Sequence, residues 1–130
     1  MVELIYTSEL PDGDAAAHIA RIATEARRGF RAAMVTGLLI FDGWRYCEYL
    51  EGEPDALRRR VQQLATDPHL QGFTLRHYAA HTLPERRFRG WSLGFADPDG
   101  EHSLDALFAE TGPASIARLL ALMPWLDSAP

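Results

Sequence analysis

The segment 35–52 constrains the fold of this chain more than any other part of the sequence. Its first half is apolar and β-branched, its second half alternates aromatic and polar residues, and the pair Asp42-Gly43 stands between them. Because Gly tolerates the positive φ that tight hairpin turns require, an Asp-Gly pair between two such runs is a strong hairpin signal. Pro54 suits the first turn of a helix. The segment therefore predicts two antiparallel strands followed directly by a helix.

The other elements are predicted from alternation, helical spacing and turn residues. A turn at 11–14 supplies a cap for the first helix from Asp12 or Asp14, and Gly29 is a plausible end for that helix. In chain order the predicted elements are a strand (2–8), a helix (15–28), the hairpin, a helix (54–66), a strand (72–80), a loop (82–86), a strand (87–96) with Phe88, Leu93 and Phe95 in the core, a helix capped by Ser103 (103–110), and a helix (113–123).

This order of elements, β-α-β-β-α-β-β followed by helices, predicts a ferredoxin-like α+β sandwich. Two helices cover one face of a mixed sheet, and the tail helices are long enough to cover part of the other. No linker or internal repeat divides the chain. We expect one domain, with a sensory unit over residues 1–98 and a C-terminal helical cap over residues 99–130.

The composition excludes several classes of function. A net charge of −5 gives no electrostatic footprint for nucleic acid or an anionic membrane. The apolar runs are too short to span a bilayer, and no signal peptide is recognisable. The single Cys47 cannot form an internal disulfide, which fits a reducing cytoplasm. The five histidines are scattered and no P-loop or GxGxxG is present, so neither a metal site nor that kind of phosphate site is expected.

Several motifs together resemble one known family, the BLUF domains, which are flavin-binding sensors of blue light. The resemblance covers about residues 4–95. In the hairpin it rests on Val35-Thr36-Gly37-Leu38-Leu39 and on residues 46–52. It also rests on Tyr6 and Ser8, two residues apart in the first strand, and on Asp67 after the second helix. Residues 86–95 closely match the family pattern R-x-F-x-x-W-S-(M/L)-G-F.

The resemblance implies a sensory protein that is not an enzyme and that binds FAD non-covalently between the two helices. In the family, a strand-one tyrosine donates to a glutamine that contacts the flavin ring. Light drives electron and proton transfer between tyrosine and flavin, and the last strand reports the change to a downstream protein, which the resemblance does not identify here. The flavin-contacting positions implied for this chain are Tyr6, Ser8, Phe30, Glu48, Asp67, His69, Trp91 and Leu93.

Three of these positions depart from the family pattern. Glu48 replaces the glutamine, and an ionised carboxylate only accepts hydrogen bonds, as do the flavin atoms that would face it. The usual pose therefore requires protonated Glu48, a form that burial favours by raising its pKa. Phe30 replaces an asparagine and would either stack on a ring or occupy its space. His69 and Leu70 replace an arginine and a histidine.

The residues alone also allow plainer roles. Tyr6 could be a core tyrosine, and a structural hydrogen bond from Tyr6 to Glu48 would explain both residues, since Glu48 alternates with Tyr46 and Leu50 on an inward face. Cys47 should face the opposite side. Phe30, Trp91 and Leu93 could be packing residues. The two arginine groups, Arg27-Arg28 and residues 58–60, could be solvated helix faces, or they could instead contact an FAD phosphate or an acidic partner.

Three hypotheses therefore stay open. The first is a flavin-binding sensory domain, and the second is a flavin-free module that keeps the same fold and acts through protein contacts. The third is a small acylphosphatase-like hydrolase, although no Gly-rich anion loop with a paired Arg and Asn is visible. We also expect a homo-oligomer, because an open sheet face together with Trp44 and Trp125 would offer apolar surface.

Overall fold

The computed structural model describes residues 1–10, 13–80 and 84–128 of the 130-residue chain. Asp12, one of the two predicted caps, and parts of the predicted turn at 11–14 and loop at 82–86 lie outside these ranges. The elements are β1 (Val2–Glu9), α1 (Ala15–Ala33), β2 (Thr36–Phe41), β3 (Arg45–Gly52), α2 (Pro54–Ala65), β4 (Gln71–Ala79), β5 (Trp91–Phe95), α3 (Asp105–Ala109), α4 (Pro113–Leu122), a 3-10 helix (Met123–Trp125) and β6 (Asp127–Ser128).

One mixed sheet runs through the described residues, with its strands in the order β4-β1-β3-β2-β5-β6. All neighbouring strands are antiparallel except β2 and β5, which are parallel. The hairpin forms as predicted. The Asp42 carboxylate accepts the backbone N–H groups of Trp44 and Arg45 at 3.1 and 2.8 Å, and Gly43 takes φ 113°. The turn is therefore fixed by the Asp-Gly pair that predicted it. The predicted ferredoxin-like α+β fold is confirmed.

Helices α1 and α2 cover one face of the sheet. The buried face of α1 includes Ile19, Ile22 and Phe30, which recur at helical spacing, and α2 adds Leu57 and Leu64 to the same core. Burying one such aliphatic side chain contributes about 1.5–3 kcal/mol. The helix layer is thus held by burial of these stripes against the central strands.

The C-terminal helices cover the opposite face, as the length of the tail predicts. Leu107 of α3 and Leu119 of α4 are buried against Ile40 and Cys47 of the sheet. Cys47 therefore faces away from the layer formed by α1 and α2, as its alternation with Glu48 predicts. The sequence suggested that this sheet face would be open for assembly, but α3 and α4 cover it around Ile40 and Cys47.

Helix α1 continues beyond its predicted end. Gly29 is an interior helical residue, and the helix ends with Met34 in the left-handed conformation, with φ 56°. A Gly in a helix interior lowers stability by about 1 kcal/mol relative to Ala. Burial of the Phe30 side chain, one residue later, contributes more stability than this. At the other end, Asp14 is the N-cap residue, one of the two positions predicted, but its side chain makes no capping hydrogen bond.

Strand β5 is shorter than predicted and begins at Trp91 instead of residue 87. The backbone N–H groups of Arg87 and Phe88 donate to the buried Glu51 carboxylate at 2.8 and 2.9 Å, so this segment turns toward Glu51 before the strand begins. Leu93 is half-buried against the core beneath α1 and α2, and Phe88 is half-buried against the core beneath the C-terminal helices. Phe95 is 37% exposed and belongs to neither core, so its assignment to the core was wrong.

The tail differs from its prediction in small ways. Helix α3 begins at Asp105, and the Ser103 hydroxyl still accepts the Asp105 N–H at 3.2 Å. After α4, the 3-10 helix and β6 were not predicted, and β6 pairs with only two residues of β5. None of the helices in the described part of the chain combines the length and apolarity needed to cross a bilayer.

Two glycines give a matched test of this packing. A Cβ at Gly37 in β2 would lie 2.0 Å from the Tyr49 carbonyl oxygen, whereas nothing lies within 4 Å of one at Gly29 in α1. Gly37→Ala should therefore lower the free energy of unfolding by roughly 2–3 kcal/mol or prevent folding. Gly29→Ala should raise it by roughly 0.5–1 kcal/mol through helix propensity. Urea unfolding at constant m-value measures both, and equal effects of the two substitutions would contradict the close approach at Gly37.

Candidate functional site

The strand register places the predicted site residues in one row on the sheet face beneath α1 and α2. Tyr6 in β1 pairs with Glu48 in β3, Glu48 pairs with Leu39 in β2, and Leu39 pairs with Leu93 in β5. Trp91 lies two residues before Leu93 and so shares its face of the sheet. Residues far apart in the chain therefore meet because the sheet aligns them.

The buried Glu48 carboxylate joins this row into one hydrogen-bonded chain. The Tyr6 hydroxyl donates to Glu48 Oε1 at 2.5 Å, and Trp91 Nε1 donates to Glu48 Oε2 at 2.8 Å. Tyr6 and Glu48 are inaccessible to solvent. The predicted hydrogen bond from Tyr6 to Glu48 is thus present, and Trp91 contributes a second one that the sequence did not predict.

Burial controls the titration of both groups. It raises the pKa of Glu48, against opposing effects of the Arg60 charge and of the hydrogen bonds from Tyr6 and Trp91. Burial also raises the pKa of Tyr6 well above its ordinary value, and the charge of Glu48 raises it further. Tyr6 therefore keeps its proton in the neutral range, and Glu48 is the group whose protonation can change.

Arg60 and Tyr46 complete a chamber that is formed with Tyr6, Glu48 and Trp91. The sequence considered Arg60 only as one of the arginines 58–60, and it assigned no role to Tyr46. Burial alone would lower the pKa of Arg60, but Glu48, Tyr6 and Tyr46 raise it on balance, so Arg60 stays charged beside Glu48. Arg60 Nε and the Tyr46 hydroxyl are buried without a hydrogen-bond partner among the described residues. The Tyr46 hydroxyl nevertheless lies near the Tyr6 hydroxyl, whose hydrogen bond opposes the rise in the pKa of Tyr46 that burial causes.

The expectation that Arg60 lies on a solvated helix face was wrong. Arg58 and Arg59 are exposed, but Arg60 is half-buried. It stands three residues after Leu57 and four before Leu64, both buried, which is the spacing of one helix face. That spacing was the available signal, and it was hidden by the run of three arginines.

Phe30 lies at the level of this chamber on α1. Its ring meets the Trp91 ring edge-on, with 6.5 Å between the two ring centroids. The guanidinium carbon of Arg60, on α2, lies 5.4 Å from the centroid of the Phe30 ring. Phe30 is 9% exposed and belongs to the helix-side core. The benzyl group thus occupies space between β5 and the two helices.

The other predicted site residues make local contacts. Ser8 Oγ donates to the Gln71 carbonyl oxygen at 2.9 Å and so fastens β1 to β4. Asp67 Oδ1 accepts the His69 backbone N–H at 2.9 Å, and the exposed His69 ring lies 4.9 Å from the His18 ring on α1. Within the described residues, none of the three makes a hydrogen bond to Glu48.

Comparison of the sequence with protein-family models gives a match over residues 1–94 to BLUF, described as sensors of blue-light using FAD. No relative among the curated proteins matches significantly.

Solved structures share the fold. BlrB, a BLUF protein in its dark state, is 25% identical with a TM-score of 0.72, covering 94% of this chain and 93% of its own. The BlsA ground state is 18% identical with a TM-score of 0.78, covering 99% and 91%. A Klebsiella pneumoniae BlrP1 complex with calcium and cy-diGMP is 23% identical with a TM-score of 0.63.

The BlrP1 comparison covers 74% of this chain, and the chain spans only 24% of BlrP1. The family model, in contrast, matches well over half of the sequence and includes β1 to β4 and all of β5 except its last residue. The chain belongs to the BLUF family, the sensors of blue light that use FAD.

Proposed function

We propose that this chain is a flavin-binding blue-light sensory domain that signals through protein contacts, with Glu48 as a proton-dependent contact to the flavin. The observation that carries the proposal is the hydrogen-bonded chain from Tyr6 through Glu48 to Trp91, buried beneath α1 and α2. It joins β1, β3 and β5 across the sheet. FAD is the flavin that the family description names.

The residues of the chamber fit a flavin when Glu48 is protonated. Trp91 Nε1 can only donate, so Glu48 Oε2 accepts from it, and a proton on Oε1 would face the Tyr6 hydroxyl. The Tyr6 hydroxyl oxygen would then accept a hydrogen bond from the Glu48 proton, and the Tyr6 O–H would be free to donate to another acceptor. An uncharged carboxyl no longer repels the acceptor atoms of a flavin edge.

The unpartnered groups support the same fit. Arg60 Nε is a buried donor without an acceptor, and the Tyr46 hydroxyl is buried without a partner among the described residues. A carbonyl-bearing ring supplies acceptors for such groups. We infer that Tyr6, Glu48, Arg60 and Trp91 would hold the flavin, which when bound supplies blue-light absorption and an electron acceptor.

We propose that the domain acts by binding and not by catalysis. The sensory unit is residues 1–98, and residues 99–130 form a cap on the same domain, consistent with the packing of α3 and α4 on the sheet. The downstream protein would contact surface outside the chamber.

A second candidate function is a flavin-free interaction module. Phe30 is the specific observation that favours it, because its buried ring lies against both Trp91 and the Arg60 guanidinium. In that arrangement Arg60 already serves as the countercharge of Glu48, so the chamber is complete without a cofactor.

The buried acid makes stability depend on pH. The raised pKa of Glu48 means that the folded state keeps a proton that the unfolded chain releases above its ordinary pKa of 4.5. The free energy of unfolding should therefore fall by up to about 1.4 kcal/mol per pH unit from there up to the folded pKa. The Glu48→Gln variant lacks this titration. The free energy of unfolding of the variant, minus that of the unmodified chain, should therefore rise with pH between these two pKa values. Urea unfolding at a series of pH values measures this difference.

The exposed Glu25 on α1 provides the control for this measurement. Its substitution Glu25→Gln removes a carboxylate of 51% side-chain exposure that pairs only with Arg21 at 3.2 Å, so its stability relative to the unmodified chain should stay nearly constant with pH. Parallel curves for Glu48→Gln and the unmodified chain would show that Glu48 does not hold its proton on folding.

Flavin uptake tests the proposed function directly. The unmodified chain incubated with FAD should acquire the visible absorbance of bound flavin at acidic pH and lose it as Glu48 ionises, because a carboxylate would face acceptor atoms. Glu48→Gln should bind over the whole range. A chain that stays colourless at every pH, while Glu48→Gln with Phe30→Asn becomes yellow, would favour the flavin-free module instead.

We also propose that the domain forms a homo-oligomer. Trp44 and Trp125 are 43% and 60% exposed, although Trp125 stacks on His102 with 3.9 Å between ring centroids. Sedimentation velocity should show a mass that rises with concentration and falls in Trp44→Ser. A monomer at all concentrations would contradict this assignment.

A further inference from the structure

A cavity of about 610 Å³ lies outside the row of Tyr6 and Glu48, between the C-terminal half of α1 and the segment that leads into β5. Its volume is within the range of about 300–1,000 Å³ that is typical of small-molecule sites. Phe30 and Trp91 line this cavity and are also among the flavin-contacting positions that the resemblance implies, but the flavin contacts proposed for this chain include none of the arginines that line it.

Four arginines line this cavity. Arg27 and Arg31 come from α1, and Arg86 and Arg89 come from the segment before β5. Within the described residues, no carboxylate oxygen lies within 4 Å of their guanidinium nitrogens, whereas the chain as a whole has a net charge of −5. Four like charges around one concave space repel one another unless an anion enters.

One of these cations is fixed in place by the fold. Arg86 Nη1 donates to the Thr36 hydroxyl at 3.0 Å and approaches the Glu51 carbonyl oxygen at 3.4 Å. Its direct partners are neutral acceptors, and the Glu51 carboxylate lies beyond the Thr36 hydroxyl, which donates to it at 2.7 Å. Planar guanidinium groups suit the paired oxygens of a phosphate.

Two aromatic rings give the cavity a second chemical character. Phe30 and Trp91 line it together with the arginines, and the Arg27 guanidinium carbon lies 5.7 Å from the Trp91 ring centroid. A ligand for this site therefore combines an anionic group with a flat apolar body. We propose that the cavity binds a nucleotide, with its phosphate among the arginines and its base against Trp91.

The same tryptophan links this cavity to the buried carboxyl. The Trp91 ring lines the cavity, and its Nε1 donates to Glu48 Oε2 at 2.8 Å. A base that packs on Trp91 would favour one orientation of the indole and thereby bias the hydrogen bond to Glu48. Nucleotide binding and the state of Glu48 are then coupled through a single side chain. The inference does not require that a flavin is bound.

The test is calorimetric titration of the full chain with AMP, with adenosine and inorganic phosphate as partial ligands. AMP should bind more tightly than either fragment, and added salt should weaken it. Arg27→Gln and Arg89→Gln should each weaken AMP binding by roughly tenfold. Arg28→Gln provides the matched control, because Arg28 is exposed on the same helix and does not line the cavity.

Competition with flavins distinguishes two sources of the same chemistry. A free nucleotide is indicated if AMP binds equally well with and without FAD. Equal affinity under both conditions supports the site. Competition of AMP with FAD but not with riboflavin, which lacks phosphate, would identify the cavity with the adenylate end of the family's own cofactor and would overturn the assignment of a separate nucleotide site. No AMP binding at millimolar concentration, or equal binding by the Arg27→Gln and Arg89→Gln variants, would overturn it, whatever the outcome of flavin uptake.

Discussion

The rest of the structure depends on how the chain accommodates the Glu48 carboxyl in the middle of its sheet. A buried charge without partners is costly, and hydrogen-bond donors and a counterion reduce that cost only if all are in place. Tyr6, Trp91 and Arg60 come from β1, β5 and α2. The requirement to satisfy one side chain therefore ties the first strand, the last central strand and a helix into a single arrangement.

A second buried carboxyl, Glu51, sets the position of β5. It accepts hydrogen bonds from Thr36 Oγ1 at 2.7 Å and Tyr49 Oη at 2.9 Å, in addition to the backbone donors of Arg87 and Phe88. These bonds hold the segment before β5 against the sheet, on the face opposite Glu48. The strand can begin only after this segment, which places Trp91 at its first residue and its indole within reach of Glu48.

The sequence was informative wherever one local rule decided the outcome. The Asp-Gly turn and alternation predicted the hairpin, and alternation alone placed Glu48 and Cys47 on opposite faces. It was less informative where a distant partner decided. The start of β5 depends on Glu51, which accepts the N–H of Arg87, 36 residues later in the chain. Gly29 continues a helix in which the next residue, Phe30, is buried. Arg60 was missed because its neighbours are exposed arginines, although its spacing from Leu57 and Leu64 marked the inner face.

The replacement of an amide by a carboxyl at position 48 changes what this chamber can do. An amide has one donor end and one acceptor end, so two arrangements of its bonds differ by exchange of those ends. The two oxygens of a carboxylate are equivalent, and Trp91 requires that one of them accept. Exchange of two amide ends is therefore not open to position 48. What can change there is the protonation of Glu48, which burial favours and which the positive charge of Arg60 and the hydrogen bonds from Tyr6 and Trp91 oppose.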